Sequence, residues 1–464
     1  MKIGNRKYLK VIVILALFNC VFLGTEYLFD GMMAYVTDSS RVVIAQSYIL
    51  GASVIGFLLF PVMNRYLKTS INNIVMFAMA LASVICIFVM QQHLSYETIL
   101  IVGCIAFVLF GVIGSAVHYR AACLLSESRN LAKTVGIAYG VGVFLQFLNN
   151  NLVKHAVVEA VVLAILVTVL VILLVKMNLD VNPEEEKVIN RDERAPKNAM
   201  VAGATLLIVV ALMTCIFASL DNAVTLVHAA GSADIGQWPR LLLALSGVTA
   251  GFLFDLKNRR FMHIMMYCVT LLSTVCVVVL EFGGSFWTGL TVFYLSAGCF
   301  AVYFTAGFMD LSYHMPLPEL WAGLGRAVNN LCAVITGTVF VTLLTSQKDR
   351  TIMILALILF ALISVTLSVY ADQFRKAETI SDTDKNGEAE EKFLEFAKAF
   401  SLTDREKDVL KVLLTTDDSV QETADKLYIS RAALYRYIGN LNEKTETKSR
   451  IGLLQFYYAW KNVD

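Results

Sequence analysis

Basic side chains outnumber acidic ones by six to two between residues 426 and 450, near the end of this 464-residue chain. Lysine and arginine neutralise phosphate, and arginine and asparagine also hydrogen-bond to base edges, so such a stretch is typical of a surface that binds nucleic acid. If residues 431–444 form a helix, its exposed face would contact bases and its flanks would contact phosphates. The base candidates are Arg431, Tyr435, Arg436 and Asn440, and the phosphate candidates are Lys444, Lys448 and Arg450.

A second group of polar side chains interrupts long apolar stretches of the chain. Glu26 lies within the first stretch, and Arg326 and Asn330 lie one helical turn apart in a later one. An ionisable group at bilayer depth costs about 2.5–3.5 kcal/mol on insertion scales, so each needs a reason to be there. We predict that these three residues line a cavity that binds a small molecule, and the open alternative is packing inside the protein. An interfacial position is favoured for three aspartates that end apolar stretches: Asp30, Asp221 and Asp310.

The apolar stretches dominate the composition, since 57% of residues are hydrophobic and only 16% are charged. About a quarter of the residues in soluble domains are charged, and about 20 apolar residues are enough for a helix to cross a bilayer. The first stretch is too long for the apolar core of a signal peptide. Twelve membrane spans are predicted near residues 8–29, 42–63, 72–91, 99–119, 131–152, 156–176, 199–220, 236–256, 263–282, 287–309, 320–346 and 351–372.

Lysine and arginine are distributed unequally over the loops between these spans. If the N-terminus is cytoplasmic, the cytoplasmic segments of the membrane region contain seventeen basic residues and the opposite segments five. Cytoplasmic loops of membrane proteins are enriched in basic residues, so this distribution predicts that orientation. Because the number of spans is even, we expect both termini on the cytoplasmic side of the cell membrane.

A polar segment at residues 178–198 divides the spans into two sets of six, and the two sets share a motif. Gly56 to Arg65 follows the second span, and Gly251 to Arg260 follows the eighth. The second copy has a glycine, an aspartate and a basic cluster at the spacing of a loop signature, so the region resembles the major facilitator superfamily. The resemblance implies two six-helix bundles, at 1–177 and 199–372, around a central cavity.

Four helices are predicted within residues 396–464, after a polar linker at 373–395. Each begins with a capping residue, whose side-chain oxygen accepts a hydrogen bond from one of the first free N–H groups of a helix. The capping signals are Thr403 with Glu406, Ser419 with Glu422, Ser430, and Ser449. The third helix, residues 431–444, is the one expected to enter the major groove.

These four helices resemble the LuxR-type helix-turn-helix family over about residues 400–462. The matches are Leu402, Thr403, Arg405, Glu406, Val409, Leu410, Ser419, Glu422, Ala424, Leu427, Ile429, Ser430, Asn440, Leu441, Lys444, Ser449 and Arg450. The third helix begins with Ala433-Leu434-Tyr435, where Thr-Val-Lys is usual in the family. The resemblance implies a domain that binds promoter DNA as a homodimer through its fourth helix. The whole chain resembles membrane-bound regulators of bacteria such as Eggerthella, which are proposed to sense small molecules.

No motif for catalysis or nucleotide binding accompanies these features. The nine cysteines lie in or beside apolar stretches and include no CxxC pair, which favours buried apolar side chains over metal or redox chemistry. We therefore expect no enzyme activity, no cofactor and no metal site.

The expected fold class is all-α, with two six-helix membrane bundles followed by a four-helix helix-turn-helix domain. The resemblances imply a one-component transcriptional regulator whose membrane region senses a small molecule and whose tail binds promoter DNA. Two alternatives stay open. One is a small-molecule facilitator with a regulatory tail, and the other is a receptor whose tail recruits a protein.

Overall fold

The structure, a computed structural model, describes residues 3–92, 94–125, 128–153, 155–179, 197–229, 239–345, 349–415 and 420–460. Within these residues there are sixteen α-helices and no β-strand, so the predicted all-α fold class is confirmed. The chain divides into two compact units, Met1–Gln373 and Phe374–Asp464, and each has a hydrophobic core. Ser419 and most of the predicted loop at 178–198 lie outside the described residues.

Twelve long helices begin within the described residues of the first unit. The first six are α1 (Ile3–Ala34), α2 (Ser39–Tyr66), α3 (Thr69–Met90), α4 (Tyr96–Leu125), α5 (Leu131–Leu152) and α6 (Ala156–Leu179). The other six are α7 (Lys197–Ala229), α8 (Pro239–Phe254), α9 (Met262–Glu281), α10 (Phe286–Ser312), α11 (Pro318–Thr345) and α12 (Asp349–Ala399).

Each of the twelve predicted membrane spans coincides with one of these helices. Ten of the helices are long and apolar enough to cross a membrane. The other two are α8, whose apolar part is the shorter stretch Arg240–Phe254, and α11, which carries Arg326 and two adjacent asparagines. The chain is therefore a multi-pass membrane protein.

Glycines of the repeated motif allow helices of the first unit to approach closely. Gly251 of α8 packs against α5, where an added side chain would come within 2.7 Å of the Ala132 carbonyl oxygen and 2.9 Å of Gly136 Cα. Gly56 of α2 packs in the same way against the backbone of Gly111 in α4. Lipid is as apolar as the side chains of membrane helices, so the hydrophobic effect does not drive these helices together. They associate instead through close packing of this kind. Each motif glycine therefore fixes one helix pair, and the pair α5–α8 joins the two halves of the unit.

Helix α12 is longer than the last predicted span and differs from the predicted linker. It ends at Ala399, so the predicted linker, including its polar stretch at 381–387, is helical. A helix that has already formed gains one hydrogen bond for each added residue, while Ser, Asp and Asn each cost about 0.7 kcal/mol or less. The stretch is also flanked on both sides by Ala, Glu and Lys, which are good helix formers.

In the part of the second unit that the structure describes, four short helices follow α12. Three of the four predicted capping signals are formed, since Thr403 N–H donates to Glu406 Oε2 at 2.8 Å, and Ser430 and Ser449 each accept from the third residue after them. Side chains from the end of α12 and from all four short helices share one core. The four helices are α13 (Asp404–Thr415), α14 (Val420–Lys426), α15 (Arg431–Lys444) and α16 (Arg450–Ala459).

Candidate functional site

One face of α15 is buried and the opposite face is exposed. Leu434, Ile438 and Leu441 recur at helical spacing and pack into the core of the second unit. The four side chains predicted to contact bases are all exposed on the rest of the helix surface: Arg431, Tyr435, Arg436 and Asn440. The helix therefore presents them together to solvent, as entry into a DNA groove requires.

Two small residues, Ala432 and Gly439, flank Arg436 on the exposed face of α15. They lie four residues before it and three residues after it, so the three residues share one side of the helix. A Cβ built on Gly439 would contact nothing within 4 Å. Because its neighbours on this face are small, Arg436 projects well beyond them, and the helix backbone beside it can come close to another molecule.

The turn between α14 and α15 contains an exposed aromatic residue with a strained backbone. Tyr428 has a φ of +54°, in the left-handed region that favours glycine, and it is 96% exposed. The next N–H, that of Ile429, donates to the Ala424 carbonyl oxygen at 3.0 Å and closes the turn after α14. A left-handed residue other than glycine costs roughly 1–2 kcal/mol, so the turn holds Tyr428 in place against an intrinsic preference.

The three residues predicted to contact phosphate have different surroundings. Lys448 is exposed, and Arg450 is half-buried at the start of α16. Lys444 is bonded inside the domain, where its Nζ donates to Glu406 Oε2 at 2.7 Å and to the Ser401 carbonyl oxygen at 2.8 Å. Phosphate contact by Lys444 stays a prediction, and the structure shows that this lysine joins the end of α15 to the start of α13.

Glu406 accepts the hydrogen bonds at this junction, and its side chain is only 3% exposed. Burial by itself would raise the pKa of the carboxyl group. The hydrogen bonds from Lys444 and Thr403 outweigh burial and hold the pKa of Glu406 below its ordinary value. The carboxylate is therefore ionised at neutral pH, and it links the capping box of α13 to the helix that carries the exposed basic face.

A cavity lies between the two halves of the first unit. Helices α1, α2 and α5 line it from the first half, and α7, α8, α10 and α11 line it from the second. The centres of water molecules can occupy about 180 Å³ of it. The three side chains that we predicted to bind a ligand, Glu26, Arg326 and Asn330, all lie in the lining.

Arg326 is the most deeply buried cation of the cavity, at 8% exposure. One terminal nitrogen donates to Asn19 Oδ1 at 3.1 Å, and Nε has no hydrogen-bond partner. The guanidinium carbon lies 5.5 Å from the centre of the Phe22 ring and 5.3 Å from that of Phe304, so two aromatic rings contribute cation–π attraction. No carboxylate among the described residues lies within 4.0 Å of this guanidinium.

Carboxyl groups collect in another part of the cavity. Glu26 accepts a hydrogen bond from Gln46 Nε2 at 2.8 Å. Asp30 and Asp221, for which the sequence favoured an interfacial position, line the same cavity as Glu26, and Asp30 Oδ1 is buried without a hydrogen-bond partner. Arg240 is also in the lining, and its guanidinium lies 5.8 Å from the centre of the Tyr27 ring.

A chain of polar side chains crosses between the halves beside the cavity. Asn330 Nδ2 donates to Ser53 Oγ at 2.8 Å, which links α11 to α2. Asn329 Nδ2 donates to Asn330 Oδ1 at 3.3 Å, and Thr214 Oγ1 of α7 donates to Asn329 Oδ1 at 3.4 Å. The predicted ligand residue Asn330 therefore also holds helices together, as in the alternative of packing inside the protein.

Comparison with known families bears on the second unit first. Residues 400–457 match the family described as bacterial regulatory proteins, luxR family. These residues form a LuxR-type helix-turn-helix domain. The match includes α13 to α15 and most of α16, and thus contains the exposed basic face. No curated protein matches the chain.

Solved structures resemble the first unit. The human organic anion transporter MFSD10 (TETRAN) has a TM-score of 0.57 and 13% identity, over 78% of this chain and all of that one. The major facilitator transporter FucP in the outward conformation has a TM-score of 0.50 and 11% identity, over 78% and 98% of the two chains. An auto-inhibited POT-family peptide transporter has a TM-score of 0.50 and 13% identity, over 79% and 97%. The first unit thus has the major facilitator fold and precedes a LuxR-type domain.

The loop signature that carried the first resemblance forms a cluster between α5, α8 and α10. Asp255, just after α8, accepts hydrogen bonds from the N–H groups of Ala132 at 3.1 Å and Lys133 at 2.6 Å. Arg259 pairs with Asp310 at 3.0 Å and with Asp255 at 3.5 Å. A carboxylate is a favourable acceptor at the start of α5, because the first N–H groups of a helix are free and the helix dipole is positive at that end. A terminal nitrogen of Arg259 also donates to the Ser128 carbonyl oxygen at 3.0 Å, so the aspartate and the arginine of the motif both tie the two halves together at one end of the fold.

Two residues of the candidate sites, Arg240 and Tyr428, were not predicted from the sequence. Arg240 is one of the five basic residues assigned to the segments opposite the cytoplasm, and it is the one basic residue between positions 230 and 256, in a largely apolar stretch. That isolation could have indicated a cavity role. Tyr428 lies in the turn before α15, and nothing in its residue type indicates a positive φ.

Proposed function

We propose that the chain is a membrane-embedded one-component transcriptional regulator. In this proposal the major facilitator-like unit senses a small molecule in its central cavity, and the LuxR-type domain binds promoter DNA. The observation that carries the proposal is the exposed face of α15, where Arg431, Tyr435, Arg436 and Asn440 share one surface of a domain in the same chain as a charged cavity. Both termini would be cytoplasmic, as the distribution of basic residues predicts.

DNA binding by the full-length protein in lipid nanodiscs tests the proposal. The probe is a labelled duplex from the region upstream of the neighbouring genes, titrated at several salt concentrations. We expect affinity to fall steeply with salt, because each phosphate contact releases counterions. The variant Arg436→Ala should weaken binding by about 1–3 kcal/mol at the preferred sequence. The matched control Lys398→Ala removes one exposed positive charge outside α15 and should leave affinity unchanged. Absence of DNA binding even at low salt would refute the proposal.

Pairing of two LuxR-type domains on DNA is part of the proposal. Ile451 and Tyr458 lie on one side of α16 and are 69% and 66% exposed. Apolar side chains exposed together are typical of a protein interface. Ile451→Asp should therefore lower DNA affinity without changing the affinity of a single domain for a half-site duplex.

A second candidate function is supported by the cavity and the fold of the first unit. A small-molecule facilitator would move its ligand across the bilayer, and the tail would then report on transport. Uptake of a bound ligand into proteoliposomes by the full chain separates the two functions, because a regulator that only senses would bind the ligand without accumulating it.

A further inference from the structure

The charged groups of the central cavity are separated along helix α1. Arg326 bonds to Asn19 and lies against Phe22, so it is held at the level of these two residues. Glu26 and Asp30 are one and two turns farther along the same helix. At 1.5 Å per residue, their Cα atoms lie about 6 Å and about 12 Å beyond that of Phe22 along the helix axis. The unpaired cation and the carboxyl groups are therefore at different levels of one cavity.

The level of the carboxyl groups has a formal excess of negative charge. Glu26, Asp30 and Asp221 line the cavity close enough to interact with one another. Of the described basic residues in the lining, Arg240 lies near Tyr27, and Arg326 lies at the other level, from which it still attracts Glu26. Arg240 Nε donates to Gln146 Oε1 at 3.0 Å, and no ion pair within 4.0 Å joins it to a described carboxylate. Buried ionisable groups are stabilised by partners, so a ligand that brings a cation to this level would replace missing interactions.

At the level of Arg326, the missing partner is an anion. Its guanidinium is buried, Nε lacks an acceptor, and no described carboxylate pairs with it. Guanidinium groups bind carboxylates through two parallel hydrogen bonds, which would use the free Nε. A carboxylate on a ligand is therefore the complement of this end of the cavity.

Aromatic rings line the space beside these groups. Phe217 and Phe300 stack with their centres 4.6 Å apart, and Phe300 contacts Phe304 at 5.2 Å. All three rings line the cavity, together with Phe22 from the opposite half. A flat apolar body would pack on these rings with its two charged ends directed to the two levels.

We propose that the central cavity binds a small aromatic zwitterion whose carboxylate and ammonium groups lie at opposite ends of the ring. The carboxylate pairs with Arg326, and the ammonium group faces Glu26, Asp30 and Asp221. The inference rests on the proposed function, in which this cavity is the sensing site. It excludes ordinary α-amino acids as the best ligands, because their two charges lie on the same carbon and cannot reach both levels.

Calorimetric titration of the full chain in nanodiscs with four matched compounds tests the inference. The compounds are 4-(aminomethyl)benzoate, 4-methylbenzoate, 4-methylbenzylamine and phenylalanine. We expect the first to bind at least about tenfold more tightly than each of the others, since loss of one buried charge partner weakens binding by that factor or more. Equal affinity for the zwitterion and for either singly charged analogue, or no binding of any compound, would overturn the inference.

Two variants assign the ends of the ligand. Arg326→Gln should weaken 4-methylbenzoate binding about tenfold or more and leave 4-methylbenzylamine unchanged, and Glu26→Gln should do the reverse. Ser368→Ala, at an exposed position of α12 outside the cavity, is the matched control. The comparison of compounds on the unmodified protein decides the inference even if a variant does not fold. DNA binding is measured without ligand, so failure of the ligand series and failure of the proposed regulator are distinguishable.

Discussion

The junction between Glu406 and Lys444 should contribute measurably to the stability of the LuxR-type domain. Glu406→Gln keeps the size of the side chain and leaves an oxygen for the Thr403 N–H, but it removes the charge that faces Lys444 Nζ at 2.7 Å. Removal of one partner from a fully buried ion pair lowers the stability of a protein by about 3–5 kcal/mol, and removal from an exposed pair lowers it by about 0–1 kcal/mol. The side chain of Glu406 is 3% exposed and that of Lys444 is 32% exposed, so we expect about 1–3 kcal/mol.

Urea unfolding of residues 374–464, the unit with a core of its own, measures this loss. Lys444→Met should cost a similar amount, and the double variant should cost less than the sum of the two single changes, because the interaction is shared. Arg405→Gln is the matched control, since Arg405 and Asp408 form an exposed ion pair at 3.8 Å and should contribute almost nothing.

The pH dependence of unfolding gives a second readout of the same junction. Hydrogen bonds hold the pKa of Glu406 below its ordinary value, so the unfolded chain binds more protons than the folded one as the pH falls. The stabilisation is therefore fully present above the unfolded pKa of about 4.3 and is lost as the pH falls through the folded pKa. Glu406→Gln should remove this acid-sensitive part. If the variant unfolds at the same urea concentration as the unmodified domain at pH 7, the junction is not stabilising.

Three further changes give expected outcomes. Gly439→Ala should stabilise the LuxR-type domain by about 1 kcal/mol in urea unfolding, because glycine disfavours a helix and a Cβ there meets no atom within 4 Å. A loss of DNA affinity in the same variant would show that the helix backbone approaches DNA closely at this point. Tyr428→Gly should stabilise the domain by up to about 1 kcal/mol by removing the strain of a φ of +54°, and unchanged or lower stability would contradict that reading. Asp255→Asn should reduce the free energy of unfolding of the first unit by about 1.5–3 kcal/mol and lower its apparent melting temperature. Asp310→Asn should lower the melting temperature less, because Asp310 is the more exposed of the two carboxylates that pair with Arg259.

The fold was predictable where the signal is periodic or local. Apolar runs located the twelve long helices, and capping residues such as Ser430 and Ser449 located the starts of short ones, since both effects depend on residues adjacent in sequence. The extent of α12 was not predictable in this way. Its polar stretch has weak helix formers, and its helical state depends on the helix turns that precede and follow it.

The candidate sites were predictable as residue types but not as contacts. The exposure of Arg436 follows from helical spacing within α15, so it could be predicted from the sequence alone. The bond between Lys444 and Glu406 joins residues 38 positions apart, and that between Arg326 and Asn19 joins residues 307 positions apart. Contacts of that separation depend on how helices pack, which the spacing of residues along one helix does not determine.

Two of the connections between the halves of the first unit bear on how a ligand could act. Arg326 and Asn19 join α11 to α1 beside the cavity, and Asp255 joins α8 to the start of α5 at the end of the fold. A ligand can shift the arrangement of the halves only as far as it binds one arrangement more tightly than another. Because coupling between two sites is reciprocal, a change at Asp255 that alters the balance of arrangements must alter ligand affinity by the same free energy. Asp255→Asn should therefore change the affinity for 4-(aminomethyl)benzoate although Asp255 does not line the cavity. An unchanged affinity would mean that the cavity and the loop cluster belong to a single rigid arrangement, and that ligand binding acts on the LuxR-type domain by another route.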